Sequence, residues 1–287
     1  MRFRGDWLCP VVTVPYVPTL GPVGPGALSA ELFNAVVDVA DTGRFLPYDK
    51  DRRWSNSKDE RVLVEEIIHE PGRTVIPTLS TRGHGLVKIY YYGADTPRLS
   101  QITAWFRTWC VTCGAVAGRV IWFTRTAEGA RTRLMLKTFN DQDKQPCGPV
   151  MDLQDCDVAD TFPAFAEQLA ADGFAFLSQR LQAGLSDGPI LVTVEDRHIV
   201  GAIGPLTILL DATRSPTQPP QYFAVHPDYR HRGHGRALWQ AGMAWGAANG
   251  AEYKVLQAAI GSAAELLYLS EGLSTLGFLC SKDLPSP

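Results

Sequence analysis

The chain has 287 residues, of which 45% are hydrophobic and 20% are charged, and its formal net charge is −3. This composition is typical of a globular protein with one large domain or two ordinary ones, and the net charge argues against a general nucleic-acid-binding protein. The first residues lack the apolar core of a signal peptide, and no segment approaches the roughly 18–20 uninterrupted apolar residues of a membrane span. We therefore expect a soluble, cytoplasmic protein with no membrane partner.

The first half of the chain predicts an α/β domain without a motif that assigns a function. Residues 10–26 contain five prolines and three glycines, which predicts an extended lead-in. Ser29 is a suitable N-cap for a helix that runs to Val39, and a charged loop with Trp54 covers residues 49–60. The hydrophobic pattern then predicts strands at Thr74–Leu79, Leu86–Tyr92, Arg119–Thr124 and Arg133–Thr138 and a helix at Leu99–Val116.

The six cysteines form no framework that points to a metal or to a set of disulfides. Cys110 and Cys113 are spaced as a CxxC pair, but a zinc site needs a second pair of ligands at a matching spacing. Both cysteines lie in the apolar helical segment. We therefore expect buried free thiols and no metal.

A polar segment that ends in a Pro/Gly break, residues 140–149, predicts a domain boundary. The first domain then covers residues 1–149 and the second covers residues 150–287. In the second domain, helices are predicted at Ala159–Ala171, Phe174–Ala183, Arg236–Asn249 and Ser262–Ser270. Strands are predicted at Ile190–Val194, His198–Leu210, Gln221–His226, Tyr253–Ala258 and Ser274–Cys280.

The most informative segment is a short apolar strand that leads into a glycine-bearing loop and then into a helix. Gly233 and Gly235 let the backbone approach an anion closely, and the start of a helix carries partial positive charge. The second domain holds 8 Lys/Arg against 15 Asp/Glu, yet Arg230, Arg232 and Arg236 fall within seven residues. The segment therefore predicts a phosphate-binding loop.

Two motifs of the second domain have a match in a known family. The spacing Arg230-x-x-Gly233-x-Gly235 fits a Gln/Arg-x-x-Gly-x-Gly/Ala pyrophosphate motif, and residues 264–273 fit a late Ala-x-x-x-Tyr-x-x-x-Gly-Phe pattern. Together with the order of the elements, these motifs make residues 150–287 resemble the GNAT superfamily of acyl-CoA-dependent N-acyltransferases. The sequence departs from that family at Gly261, where Asn is frequent, at His234, where Ile or Val is usual, and at Leu273, which replaces Phe.

The resemblance implies that acyl-CoA lies in a cleft between two parallel strands that splay apart, here residues 221–226 and 253–258. The backbone of the first strand would pair with the pantetheine arm and polarise the thioester carbonyl through Phe223, Ala224 and Val225. The loop would bind the pyrophosphate of the cofactor through Arg230, His231, Arg232, Gly233, His234, Gly235 and Arg236.

The resemblance also implies a direct reaction, in which a neutral amine attacks the thioester, an oxyanion forms and the thiol leaves. Tyr268 stands where the family keeps the acid for the leaving thiolate, and a phenol with a pKa near 10 is protonated at pH 7. The general base stays open between Glu195, Asp211, Tyr222, Glu265 and a residue of the first half. Of these, Glu195 is also suited to a simple hairpin turn.

The expected fold is α/β (α+β), a GNAT-type mixed sheet flanked by helices and preceded by an N-terminal α/β domain. The N-terminal domain would line the acceptor pocket or form a homodimer. A degenerate second GNAT copy is an alternative, because Arg82–Gly85 repeats the tetrapeptide Arg232–Gly235. The strand predicted from Leu86 argues against a second cofactor loop, which needs a helix at that point.

We expect transfer of an acyl group from acetyl-CoA or another acyl-CoA, or from the phosphopantetheine of an acyl carrier protein, to an amine of a small metabolite. The richness in Ala, Gly, Pro and Arg favours, by analogy, an enzyme of antibiotic or other secondary metabolism. Two alternatives from other classes stay open. They are a non-catalytic acyl-CoA sensor and a tRNA-dependent aminoacyl transferase, which needs a basic groove that the scattered charge does not favour.

Overall fold

The computed structural model describes residues 60–70, 73–80, 85–93, 96–124, 126–144, 148–169, 174–184, 188–210 and 216–286. Several predicted features lie outside these residues and stay predictions: the lead-in at 10–26, the helix at Ser29–Val39, the loop around Trp54, most of Arg82–Gly85, and Asp211.

Within the described residues the chain forms fourteen strands and five α-helices. The strands are β1 (Glu60–Val62), β2 (Ile68–Glu70), β3 (Arg73–Ser80), β4 (Leu86–Gly93), β5 (Ala117–Thr124), β6 (Thr132–Thr138), β7 (Met151–Asp152), β8 (Leu191–Glu195), β9 (His198–Gly204), β10 (Leu209–Leu210), β11 (Pro216–Thr217), β12 (Tyr222–Val225), β13 (Tyr253–Ala259) and β14 (Ser274–Asp283). The α-helices are α1 (Leu99–Cys113), α2 (Phe162–Gln168), α3 (Phe174–Gln182), α4 (His234–Ala248) and α5 (Ala263–Ser270).

The chain packs into two compact units. The first unit contains the described residues up to Leu136 and those from Val255 onward, and the second contains the described residues from Lys137 to Lys254. Each unit combines a sheet with helices, so the expected mixed α/β class is confirmed. The boundary predicted at residues 149/150 falls inside the second unit and stays a prediction for the family domain.

The sheet of the first unit contains strands from both ends of the sequence. β3 pairs antiparallel with β4 over eight residues, and β4 runs parallel to β5. α1 connects β4 to β5 and buries Ile102, Phe106 and Trp109. β14 pairs antiparallel with both β5 and β6. The last strand of the chain therefore lies between two strands of its first half.

The core of the first unit is formed by apolar side chains of this sheet and of α1. Its fully buried members include Val75, Val87, Ile89, Phe106 and Val120. A Cβ at Gly118 would come within 2.5 Å of the Phe106 ring. Because glycine has no Cβ, it lets α1 lie directly on β5.

The second unit has a four-stranded sheet in the order β12-β9-β8-β7, with antiparallel pairing between all neighbours. α4 packs closely on β9. A Cβ at Gly201 would come within 2.8 Å of Leu238, and one at Gly242 within 3.0 Å of Ile203. This close packing holds the start of α4 next to the end of β12.

Most predicted element boundaries agree with the structure within a few residues, and the differences have local causes. The α-helical part of the predicted Ala159–Ala171 helix begins at Phe162, because Pro163 suits the first turn and cannot continue a helix from further upstream. The strand predicted to reach Leu210 ends at Gly204, since Pro205 has no N–H to donate to a neighbouring strand.

The cysteines of the described residues are free thiols. Cys110, Cys156 and Cys280 are buried, and Cys113 is half-buried. Burial raises the pKa of the Cys110 thiol. Across the described ranges, no group of three or more His, Cys, Asp or Glu residues could hold a metal ion. No helix there is long and apolar enough to cross a membrane.

Candidate functional site

The loop between β12 and α4 begins with a short 3-10 turn at Pro227–Tyr229. The N–H of His226 donates to the carbonyl of Val200 at 2.8 Å, which extends the pairing of β12 with β9 by one residue. Nδ1 of the same histidine accepts a hydrogen bond from the N–H of Asp228 at 3.3 Å. His226 therefore ends the strand and caps the turn, which is a structural role.

Two residues of the loop have a left-handed backbone. φ is 65° at His231 and 93° at Gly233. Positive φ values alternating with ordinary ones turn successive N–H groups toward one side, and such concave backbone segments bind anions. A Cβ at Gly233 would meet nothing within 4 Å, so the space in front of this residue is open.

The loop leads directly into a helix long enough to have a strong dipole. Gly233 is the N-cap of the 15-residue α4 and makes no side-chain cap hydrogen bond. The first N–H groups of any helix have no acceptor within the helix, and the partial positive charge of the dipole adds to them. An open glycine, a left-handed turn and a helix start fit a pyrophosphate group.

Gly235 has a weaker requirement for glycine than Gly233. A Cβ at this position would lie 3.7 Å from Cγ2 of Val225 and 3.9 Å from the Phe223 ring, which are ordinary contacts. The packing of the protein itself therefore allows a small side chain at Gly235. This agrees with the Gly/Ala alternative at this position of the motif.

The arginines of the loop differ in how they are held. Nε of Arg230 donates to the Val225 carbonyl at 3.2 Å. Arg232 donates to the Asp228 carbonyl at 3.2 Å, and its guanidinium lies 4.9 Å from the centre of the Tyr229 ring. The Arg232 side chain is half exposed even with these contacts. Both arginines stabilise the loop and bring positive charge to it.

Glu195, at the end of β8, contacts two residues of the loop. Oε1 accepts from Nη1 of Arg232 at 2.5 Å, and Oε2 accepts from Nε2 of His234 at 2.7 Å. The hydrogen bond from His234 lowers the pKa of the Glu195 carboxyl, and Arg232 adds to this effect. Glu195 is also the last residue of β8 before a hairpin turn, as expected. Asp196 and Arg197 form this turn with positive φ, and Glu195 pairs with His198 at the start of β9.

The two strands of the predicted cleft belong to different sheets. β12 is the last strand of the four-stranded sheet and pairs with β9. β13 begins in the same unit, where Tyr253 pairs with Thr217 of β11 in parallel. Phe223, Ala224 and Val225 are half-buried. A cleft between these two strands stays a prediction.

Lys254 is fully buried at the start of β13. Its Nζ donates to the Pro219 carbonyl at 2.8 Å and to Oε1 of Gln221 at 2.5 Å. These bonds hold the segment that enters β12. Sequence reasoning missed this residue because lysine is mostly exposed and no local pattern marks a buried one.

Tyr268 lies on α5, in the first unit. Its side chain is buried, and burial raises the pKa of the phenol above its usual value. The hydroxyl is therefore protonated at neutral pH, as an acid requires. Ser262 is the N-cap of α5, and its Oγ accepts from the N–H of Glu265 at 3.2 Å. The helix therefore starts within one residue of the predicted position.

Glu265 is tied into the structure on both oxygens. It accepts from Nε of Arg133 at 2.6 Å and from the N–H of Gly261 at 2.5 Å. The hydrogen bond from Arg133 lowers the pKa of the Glu265 carboxyl, and the Gly261 N–H contributes next. Gly261 has a φ of 79°, so its departure from the family pattern comes with a left-handed backbone.

The structure argues against several of the residues named as candidate general bases. Both oxygens of Glu195 and of Glu265 are engaged, and lowered pKa values make these carboxylates weaker bases. Tyr222 is buried in β12, where its ring centre lies 5.9 Å from that of Phe174. The remaining named candidate, Asp211, lies outside the described residues.

The fold and the loop define an α/β protein with a glycine-bearing loop of a kind suited to binding an anion. Residues 186–272 match the family model of the acetyltransferase (GNAT) domain. This part of the chain belongs to the GNAT superfamily, so the expected family is confirmed.

Solved structures resemble this chain at low sequence identity. A GNAT-family acetyltransferase from Colwellia psychrerythraea is 9% identical, with 90% of this chain and 98% of that chain covered and a TM-score of 0.50. A GCN5-related N-acetyltransferase from Sphaerobacter thermophilus is 16% identical, with coverage of 77% and 83% and a TM-score of 0.45.

A third structure, a tandem GNAT protein from the clavulanic acid biosynthesis pathway, is 12% identical, with coverage of 99% and 95% and a TM-score of 0.47. Among curated proteins, none matches this chain at a significant level. Of these three structures, the one from Colwellia psychrerythraea supports the fold alone, and none of them indicates a substrate.

Proposed function

We propose that the protein is an N-acyltransferase that moves an acyl group from a phosphopantetheine thioester to an amine of a small metabolite. The observation that carries the proposal is the loop from Arg230 to Gly235, with its left-handed Gly233 at the start of α4. The match of residues 186–272 to the acetyltransferase domain supports the same chemistry.

The donor brings an acyl group that is already activated as a thioester. The N–H groups from His231 to Arg236 would hold its pyrophosphate, and Arg230 would add positive charge beside them. The backbone of Phe223, Ala224 and Val225 would align the pantetheine arm. Acetyl-CoA is the simplest donor, and a longer acyl-CoA or an acyl carrier protein uses the same arm.

Tyr268 is the residue we assign to protonating the leaving thiolate. The thiol has a pKa of about 8.5 or higher, so a neutral donor nearby favours its departure. A buried phenol keeps its proton at neutral pH, because burial disfavours the phenolate. Since Glu195 and Glu265 are both engaged, we expect the amine to lose its proton through water or through a group of the acceptor pocket.

The acceptor and the metabolic role stay predictions. We expect an amine on a small metabolite, in antibiotic or other secondary metabolism. If the natural donor is an acyl carrier protein, turnover should be faster with the carrier-bound acyl group than with free acyl-CoA. Equal rates with both donors would contradict the carrier variant.

The loop offers a matched pair of variants that tests the proposal. Gly233→Ala and Gly250→Ala introduce the same methyl group at the two ends of α4, at φ values of 93° and 81° with nothing within 4 Å in either case. Each places a side chain in the left-handed region, which costs about 1–2 kcal/mol of stability. The two variants should therefore lose similar stability.

Calorimetric titration with CoA should separate the two variants. We expect Gly233→Ala to weaken CoA binding by about tenfold or more, which corresponds to about 1.4 kcal/mol, and Gly250→Ala to bind like the wild type. Equal affinities in both variants, or a wild-type protein that does not bind CoA, would contradict the proposal.

Turnover separates the proposed enzyme from its alternatives. Release of free thiol from acetyl-CoA in the presence of a panel of amines is expected for an acyltransferase. CoA binding without amine-dependent thiol release would instead indicate a sensor. An aminoacyl transferase would bind tRNA with an affinity that falls steeply as the salt concentration rises. A tRNA affinity that does not depend on the salt concentration would therefore count against an aminoacyl transferase.

A further inference from the structure

Glu195, in the hairpin between β8 and β9, contacts the residues before and after Gly233 in the loop between β12 and α4. Its carboxylate accepts from Arg232 at 2.5 Å and from His234 at 2.7 Å, and these two residues flank Gly233. We propose that Glu195 is a positioning residue that holds the loop in its anion-binding conformation through Arg232 and His234. The proposal rests on the proposed function, in which this loop binds the pyrophosphate of the donor.

The backbone of the loop needs such a support. His231 has a φ of 65°, in a region that side-chain-bearing residues avoid, and Gly233 has a φ of 93°. The loop residues from His231 to Gly233 are exposed, so core packing does not hold them. A carboxylate bonded to the residues on both sides of Gly233 restrains this segment from outside the loop.

His234 explains why a carboxylate is needed at this place. Its side chain is only 14% exposed, and a largely buried imidazole must have a hydrogen-bond partner. Glu195 is that partner, and its side chain comes from a strand 39 residues earlier. The same carboxylate also engages Arg232, whose other contacts are the Asp228 carbonyl and the Tyr229 ring.

The two bonds of Glu195 come from side chains of the loop, whereas a phosphate site uses the backbone N–H groups. The carboxylate and the ligand therefore bind different groups of one loop. This arrangement favours positioning over competition, in which the carboxylate would occupy the place of the phosphate. Removal of the carboxylate charge should raise the Kd for CoA if Glu195 positions the loop, and should lower this Kd if Glu195 competes with the phosphate.

The test is Glu195→Gln, which keeps the shape of the side chain and removes its charge. We expect the Kd for CoA to rise on the order of tenfold, because charge-assisted hydrogen bonds that hold the loop are weakened. The Kd for pantetheine, which has no pyrophosphate, should not change. In turnover, KM for acetyl-CoA should rise while kcat at saturation stays close to the wild-type value.

Asp196→Asn is the matched control. It removes a carboxylate from the neighbouring position of the same hairpin, where φ is 50° and asparagine tolerates a left-handed backbone. We expect wild-type CoA affinity for this variant. If general loss of charge explained the effect, Asp196→Asn would weaken CoA binding as well, and that result would overturn the assignment of Glu195.

A double-mutant comparison tests the route through the two loop residues. In a protein that carries Arg232→Gln and His234→Gln, Glu195→Gln should have little further effect on the Kd for CoA. An effect as large as in the wild-type background would overturn the positioning role.

The outcomes separate this proposal from the proposed function. If the wild-type protein does not bind CoA, the proposed function fails. If the wild type binds CoA and Glu195→Gln binds it equally well, the positioning role fails and the proposed function stands. Tighter binding by Glu195→Gln would identify the carboxylate as a competitor of the phosphate and would also overturn the positioning role.

Discussion

Arg133 and Glu265 form an ion pair between strand β6 and helix α5, with Nε and Oε1 2.6 Å apart. The glutamate side chain is only 5% exposed, and the arginine is 22% exposed. Arg133 also donates to Oγ1 of Thr275 at 2.9 Å and lies over the Phe278 ring, 4.9 Å from its centre. The pair thus connects the first half of the chain to the helix that carries Tyr268.

Breaking this pair should destabilise the protein, because a buried charge would lose its partner. We expect Arg133→Ala to lower the Tm by several degrees. Arg119→Ala is the control, since Arg119 makes an ion pair of the same length with Asp283, but the two side chains are 46% and 70% exposed. Exposed pairs contribute little, so this control should have a Tm near the wild-type value. An equal decrease in Tm in the two variants would contradict the idea that the buried ion pair stabilises the protein more than the exposed one.

The contribution of Glu265 should depend on pH. Folding lowers the pKa of this carboxyl, so its stabilisation is complete above the pKa of an unfolded glutamate, about 4.3. It is lost as the pH falls through the lower pKa of the folded state. The Tm difference between wild type and Glu265→Gln should therefore be largest near pH 6–7 and shrink toward pH 3. A difference that stays constant over this range would show that charge is not the cause.

Tyr268→Phe should lower kcat and leave CoA binding intact. The change removes only the hydroxyl of a buried side chain, and loss of a general acid typically lowers the rate by about a hundredfold or more. Tyr91→Phe makes the same change at a buried core position of the same unit and serves as the control. Steady-state rates with acetyl-CoA and an accepted amine give the measurement. Normal kcat in Tyr268→Phe would remove this residue from the chemistry.

The local elements and the loop could be predicted from the sequence because short-range signals determine them. Ser262 caps α5, Gly250 ends α4 with a φ of 81°, and the loop glycines mark the start of α4. These signals depend on residues that are neighbours in the chain. The residue types alone are therefore enough to locate them.

The contacts that support the site could not be predicted, since they join distant parts of the chain. Glu195 and His234 are 39 residues apart, and Arg133 and Glu265 are 132 apart. Neither pair belongs to a motif, and each depends on strand register and helix packing. The placement of β14 between two strands of the first half has the same origin.

Lys254 should stabilise the segment that enters β12. Lys254→Met keeps the length of the side chain but leaves the Pro219 carbonyl and the Gln221 amide oxygen without this donor. Loss of a buried hydrogen-bond donor costs about 1–3 kcal/mol, and urea denaturation measures the free energy of unfolding. Lys282→Met is the control, because Lys282 is exposed on β14. Equal stability of the two variants would contradict a structural role for Lys254.

Gly118→Ala should destabilise the first unit by overpacking. The new Cβ would come within 2.5 Å of the Phe106 ring, so either the ring or the strand must move. Overpacking of this kind costs about 1–3 kcal/mol, and urea denaturation should show the loss. Phe106→Leu in the same protein removes the ring, so part of the stability lost to Gly118→Ala should return in the double variant. If the two losses simply add, the contact between residue 118 and the ring is not the cause, since residues in contact are expected to couple.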